Sequence, residues 1–68
     1  MDTIIESREL QVERKHFVLE LRENDRGRFL RITEEAQGRR NTVIIPSSGL
    51  EDFEEMLGEV LDSIADDA

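Results

Sequence analysis

The 68-residue chain has no cysteine, tryptophan or tyrosine, and it carries one proline and one histidine. Without cysteine, neither a disulfide framework nor a thiolate metal site can support a small core. One histidine, His16, falls short of the three or four spaced ligands of a zinc site and stands on what reads as the outward face of a strand, where histidine is ordinarily a tolerated surface residue. No catalytic residue, metal or cofactor is expected, and the chain is not read as an enzyme. The opening Met1-Asp2-Thr3-Ile4-Ile5 has no basic leader, and no segment approaches the roughly 20 apolar residues of a membrane span. The expectation is a cytoplasmic chain with no membrane partner.

A chain this short forms one domain and buries only about 60% of the surface that its unfolded form exposes. With disulfides and metals excluded, association with another chain is the remaining common support.

Positive charge is scarce: nine Lys and Arg against 17 Asp and Glu give a net charge of −8. Phosphate neutralisation by Lys and Arg supplies most non-specific nucleic-acid affinity, so the average argues against such a partner. The distribution argues otherwise. Residues 1–13 hold one base and four acids, residues 14–40 hold eight bases and five acids, and residues 41–68 hold eight acids and no base. Local potential steers an anionic ligand, and the middle of the chain is where a phosphate backbone would go.

That middle reads as strands. In His16-Phe17-Val18-Leu19-Glu20-Leu21-Arg22-Glu23, Phe17, Leu19 and Leu21 alternate with polar neighbours. Asn24-Asp25-Arg26-Gly27 follows as a tight turn, since Asx side chains bond nearby backbone and glycine accepts positive φ. Arg28-Phe29-Leu30-Arg31-Ile32-Thr33-Glu34 alternates again, and if Leu30 and Ile32 join Leu19 and Leu21 in the core, Phe29 faces outward. Ala36-Gln37-Gly38-Arg39-Arg40-Asn41 reads as a looser connection to a third strand, Thr42-Val43-Ile44-Ile45, stopped by Pro46. Residues 5–12 alternate weakly and are read as a further strand.

From Ser48 the period changes: Leu50, Phe53, Met56, Leu57, Val60, Leu61 and Ile64 recur at spacings of three and four, an amphipathic helix with a wide apolar stripe. Ser48 and Glu51 fit a capping box. Asp62, Asp66 and Asp67 oppose the dipole at the other end, so the tail past residue 64 is expected to fray. The fold class is α+β, a four-stranded antiparallel sheet followed by one helix. Seven large apolar residues on a helix about 22 Å long need more partner surface than one short sheet offers, so the helix is expected to contact a second copy.

Two functional readings fit these residues. Arg22-Glu23-Asn24-Asp25-Arg26-Gly27-Arg28-Phe29-Leu30-Arg31 interleaves cations with an outward aromatic, as a single-strand binder does when charges follow phosphates and an aromatic stacks on a base. The same arginines can simply solubilise a sheet, Asn24 and Gly27 can simply build the turn, and Phe29 can pack in a dimer contact. The other reading is a scaffolding dimer whose acidic helix meets a basic protein. Arg14 and Lys15, with Arg39 and Arg40 in the later loop, are candidates to flank the basic groove, although Arg39 and Arg40 read first as solvated loop charge.

On Arg14-Lys15-His16-Phe17, Leu19-Glu20-Leu21-Arg22-Glu23-Asn24, Arg26-Gly27-Arg28-Phe29-Leu30-Arg31-Ile32, Val43-Ile44-Ile45-Pro46, Leu50, Phe53 and Leu57, the sequence resembles the PUR domain family over roughly residues 4–64. The resemblance implies a β-β-β-β-α repeat whose helix crosses onto a partner repeat, so that a single-repeat chain completes the domain as an intertwined homodimer. It also implies binding of purine-rich single-stranded DNA or RNA, with strand separation. Carried over residue by residue, Arg22, Asn24, Arg26 and Arg31 would hold backbone and base edges and Phe29 would stack. Arg28 belongs to the matching motif, although alternation puts it on the side opposite Phe29. Val18 stands where family members often carry an aromatic, and Glu13 precedes the basic pair; both imply weaker affinity.

Overall fold

The computed structural model describes residues 1–66. Four strands, β1 (Thr3–Val12), β2 (Lys15–Asn24), β3 (Gly27–Ala36) and β4 (Arg39–Pro46), form one antiparallel sheet in sequence order. A single 3-10 turn, Ser47–Gly49, leads into helix α1, Leu50–Asp66. The α+β reading therefore holds, and each strand is longer than its alternation alone suggests. Past residue 64, where the tail is expected to fray, α1 instead continues through Asp66; Asp67 and Ala68, to which that expectation also extends, lie outside the described residues.

Register explains where the sequence pattern is strong or weak. Opposed residues of an antiparallel pair share a face, and β2 and β3 pair Leu19 with Ile32, Leu21 with Leu30 and Phe17 with Glu34. β4 adds Val43 and Ile45 to that apolar face, and β1 adds Leu10 and Val12. β1 also puts the ion-paired Glu6 and Arg8 there, and a register shift between Ile4 and Glu6 moves Ile4 to the other face. One extra residue inverts the alternation beyond it, which is why this strand is faint in the sequence.

The loose connection expected after residue 36 is instead a two-residue hairpin. Ala36 pairs with Arg39, and Gln37 (φ 51°) and Gly38 (φ 77°) are both left-handed, the type I′ arrangement that matches strand twist. Arg39 and Arg40 thus begin β4 rather than lie in a loop. The capping box is also not formed: no side-chain hydrogen bond caps the 3-10 turn, and α1 starts two residues past Ser48.

Along the apolar face, Lys15 Nζ lies 3.1 Å from Glu34 Oε2, and Asn41 Nδ2 donates to Glu34 Oε1 at 3.2 Å. These hydrogen bonds, chiefly that from Lys15, hold the Glu34 carboxyl below its ordinary value. The carboxylate's contribution is complete above the unfolded-state value and is lost as pH falls through the lower folded-state value.

The helix does not close over this face. α1 rests on the turn before it, and Leu50 and Phe53 are half-buried while Met56, Leu57, Val60, Leu61 and Ile64 are 51–65% exposed. Among the described residues no hydrophobic side chain is buried; the one buried residue is Thr33, on the other face. The radius of gyration is 14.0 Å, against about 11 Å for a compact chain of this length. The chain exposes 5920 Å², against about 4,400 Å² for a folded monomer of its mass. The apolar layer of sheet and helix is thus formed but uncovered.

Gln37 supplies a test of the β3–β4 turn. A left-handed residue other than glycine or asparagine is disfavoured by roughly 1–2 kcal/mol, so Gln37→Asn is expected to raise stability by about 0.5 kcal/mol. Urea unfolding at fixed protein concentration should show a higher midpoint with an unchanged slope; an equal or lower midpoint would reject the type I′ assignment.

Candidate nucleic-acid interface

The face opposite the apolar layer is assembled by the same alternation. β2 contributes His16, Val18, Glu20, Arg22 and Asn24; β3 contributes Phe29, Arg31, Thr33 and Glu35; β4 contributes Arg40, Thr42, Ile44 and Pro46. The β2–β3 turn holds the sequence-predicted hairpin in place. The Arg26 N–H donates to Asn24 Oδ1 at 2.8 Å, an Asx turn, and Gly27 adopts φ 123°. Asn24 Nδ2 also donates to Asp2 Oδ1 at 3.3 Å. Much of the Asn24 amide is therefore engaged in shaping the tip.

Phe29 faces away from Leu30 and Ile32, as the alternation predicts, and lies half-buried opposite Arg22 and Pro46. It borders a cleft of about 480 Å³ whose other walls include Ile44, Pro46, Asn24 and Arg26. Ile44 is 57% exposed. An aromatic ring with an exposed aliphatic neighbour and cations at its edge is a surface on which an unpaired base can stack.

Arg22 is heavily engaged. Its Nη2 lies 2.8 Å from Glu20 Oε1, its Nε donates to the same oxygen at 3.1 Å, and its Nη1 lies 3.5 Å from Asp2 Oδ2. Arg31, directly across from Glu20 on β3, has no carboxylate partner among the described residues, and its Nε is shielded from solvent without a hydrogen-bond partner. Arg26 is likewise free of ion pairs and exposed at the tip. Toward the other end of the face, Arg40 Nη2 lies 3.4 Å from Glu35 Oε2, and His16 Nε2 lies 3.8 Å from Glu9 Oε2. The face interleaves cations with carboxylates, and Arg26 and Arg31 are its cations without a carboxylate partner among the described residues.

Of the residues singled out from the sequence, Arg22, Asn24, Arg26, Phe29 and Arg31 lie together along the hairpin. Arg28 leaves from the apolar side, paired with Glu23 at 3.0 Å, yet it also lines the cleft beside Phe29. Lys15 and Arg39 also belong to the apolar side, because strand geometry divides a contiguous basic stretch between two faces. Ile44, Pro46 and Thr33 complete the face and were not singled out as site residues; Arg40, expected to flank the groove from a loop, joins the face from β4. A two-residue reading of Gln37-Gly38 would have placed Arg40 there, since it sets Arg40 opposite Glu35.

The family model described as "PurA ssDNA and RNA-binding protein" matches residues 1–68. Over 62 residues the chain is 42% identical to transcription factor Pur-alpha 1 of Arabidopsis thaliana, a match covering 91% of this chain and 21% of that protein. Over 62 residues it is 39% identical to transcriptional activator plp-1 of Caenorhabditis elegans, covering 87% of this chain and 27% of that protein. The chain thus spans about a fifth to a quarter of the length of these curated relatives.

Proposed function

The chain belongs to the PurA family of single-stranded-DNA and RNA-binding proteins, and from that premise we propose that it binds a single nucleic-acid strand, without catalysis, as a homodimer. The observation that carries the reading is the two-sidedness of the sheet. One face is an uncovered apolar layer, and the other sets Phe29 and Ile44 beside Arg26 and Arg31. A protein surface that must stay open to a ligand cannot also be the one that supplies the core.

The strand, DNA or RNA, lies across β2 and β3 with phosphates toward Arg26 and Arg31 and a base on Phe29. The net charge of −8 is compatible with this, because the helix acids Glu51, Asp52, Glu54, Glu55, Glu59 and Asp62 belong to a different element.

The second copy covers the apolar face with its helix. The excess exposure of about 1,500 Å² per chain, the difference between 5920 and about 4,400 Å², is of the size that a permanent interface buries per partner. Charge adds little: α1 has acids and no base, but on the apolar face Arg8, Lys15 and Arg28 already pair with Glu6, Glu34 and Glu23, and Arg39 is the one cation there without an ion pair among the described residues.

Binding is tested by titrating a labelled purine-rich oligonucleotide at two salt concentrations beside a duplex control. Affinity for the single strand should fall with salt, by about 0.7 in log–log slope per phosphate contact. Phe29→Ala should weaken binding by about 1–3 kcal/mol while the dimer stays intact. Absent or salt-independent binding would reject the function, and unchanged affinity in a folded Phe29→Ala protein would assign the ring to packing.

The dimer is tested by sedimentation at micromolar concentration, where a species of twice 7.9 kDa is expected. Leu61 is 52% exposed in the single chain, so Leu61→Asp should act through the second copy and shift the population toward monomer. A folded wild-type monomer would contradict the proposal.

A further inference from the structure

The hairpin face contains an unexplained economy of charge. Glu20 sits between two arginines, Arg22 two residues along β2 and Arg31 directly across on β3, yet it engages only Arg22. The contact is thorough: Nε and Nη2 of Arg22 share Glu20 Oε1, and Nη1 turns to Asp2. All three guanidinium nitrogens thus face a carboxylate. Both side chains are largely shielded, 19% exposed for Arg22 and 17% for Glu20, so bulk salt screens this pair less than the exposed pairs elsewhere.

We propose that Glu20 acts as a built-in substitute for phosphate on Arg22, and thereby sets both the affinity of the face for a nucleic-acid strand and its response to salt. The inference rests on the nucleic-acid reading above. In the free protein Arg31 and Arg26 are available anchors, whereas Arg22 is latent. A phosphate that takes Arg22 must displace the Glu20 carboxylate, so the strand gains one ion pair and the protein loses one.

The salt response follows from counterion bookkeeping. A phosphate neutralised by a free arginine releases a condensed cation, which produces the salt slope. At Arg22 the displaced carboxylate is left needing a cation of its own, and the net release is near zero. Glu20 is a positioning residue in this scheme, because it acts through Arg22 rather than by touching the strand.

The test is Glu20→Gln in the full chain, with a labelled purine-rich single strand titrated across a salt series. Glutamine keeps the size and removes the charge. Binding is expected to tighten about two- to fivefold at low salt, the size of a partly exposed ion pair, and the log–log salt slope to steepen by about 0.7, one more phosphate released to a free arginine. Glu6→Gln makes the same charge change on the apolar side, where Glu6 pairs with Arg8, and is expected to change neither quantity. Asp2→Asn frees Arg22 Nη1 at the edge of the sheet and is expected to give a smaller gain in the same direction; it decides the matter if Glu20→Gln does not fold.

Weaker binding by Glu20→Gln would overturn the proposal, since it would mean that Glu20 holds Arg22 in its binding pose. Equal gains from Glu20→Gln and Glu6→Gln would also overturn it, leaving net charge as the cause. Absence of binding by the wild-type chain would instead reject the nucleic-acid reading itself, and this inference with it.

Discussion

An apolar layer with only one side is the constraint on which this fold depends. Leu19, Leu21, Leu30, Ile32, Val43 and Ile45 share one face of the sheet, and Met56, Leu57, Val60, Leu61 and Ile64 share one stripe of α1. Within a single chain the two surfaces meet only around Leu50 and Phe53, which with Leu19, Leu30, Ile32 and Leu57 line a groove of about 410 Å³. Hydrophobic burial is the main term that offsets conformational entropy in folding, and here it is largely unrealised among the described residues. Long strands and a long helix therefore make sense as parts of a larger unit, and the proposed second copy supplies the missing layer.

That arrangement separates stability from binding. Strand alternation sends the residues that need cover to one side and leaves Phe29, Ile44, Arg22 and Arg31 on the other. The proposed binding side is not uniformly basic, because Glu20, Glu35, Glu9 and Asp2 accompany its cations. On the proposed reading, such interleaving gives individual carboxylates control over which arginines are available to a strand. The acids of α1 lie outside this local balance, so net charge is a poor guide to what the sheet binds.

Where one physical pattern dominated, the sequence was readable. β2, β3 and the helix were legible because alternation and the three-four period run uninterrupted through them, and the outward direction of Phe29 followed from the same alternation. β1 was faint because a register shift inverts it and because Glu6 and Arg8 sit on the apolar side. The start of β4 was missed because Gln37 occupies a left-handed turn position where asparagine or glycine is the usual signal. The basic stretch read as one patch, but Lys15, Arg28 and Arg39 go to the apolar side, and only register reveals the division. The ion pairing of Arg22 with Glu20 was two residues away in sequence and still invisible, since spacing shows a shared face but not which neighbour a guanidinium selects.

In the proposed dimer the helix of a second copy covers the apolar face and leaves the hairpin face open. Isotope-filtered NMR on an equal mixture of labelled and unlabelled protein tests it most directly. Intermolecular NOEs are expected from the methyl groups of Val60, Leu61 and Ile64 to those of Leu19, Ile32 and Val43, and none to Phe29 or Ile44. Helix-to-sheet NOEs that are all intramolecular, or intermolecular NOEs that fall on Phe29 and Ile44, would contradict it.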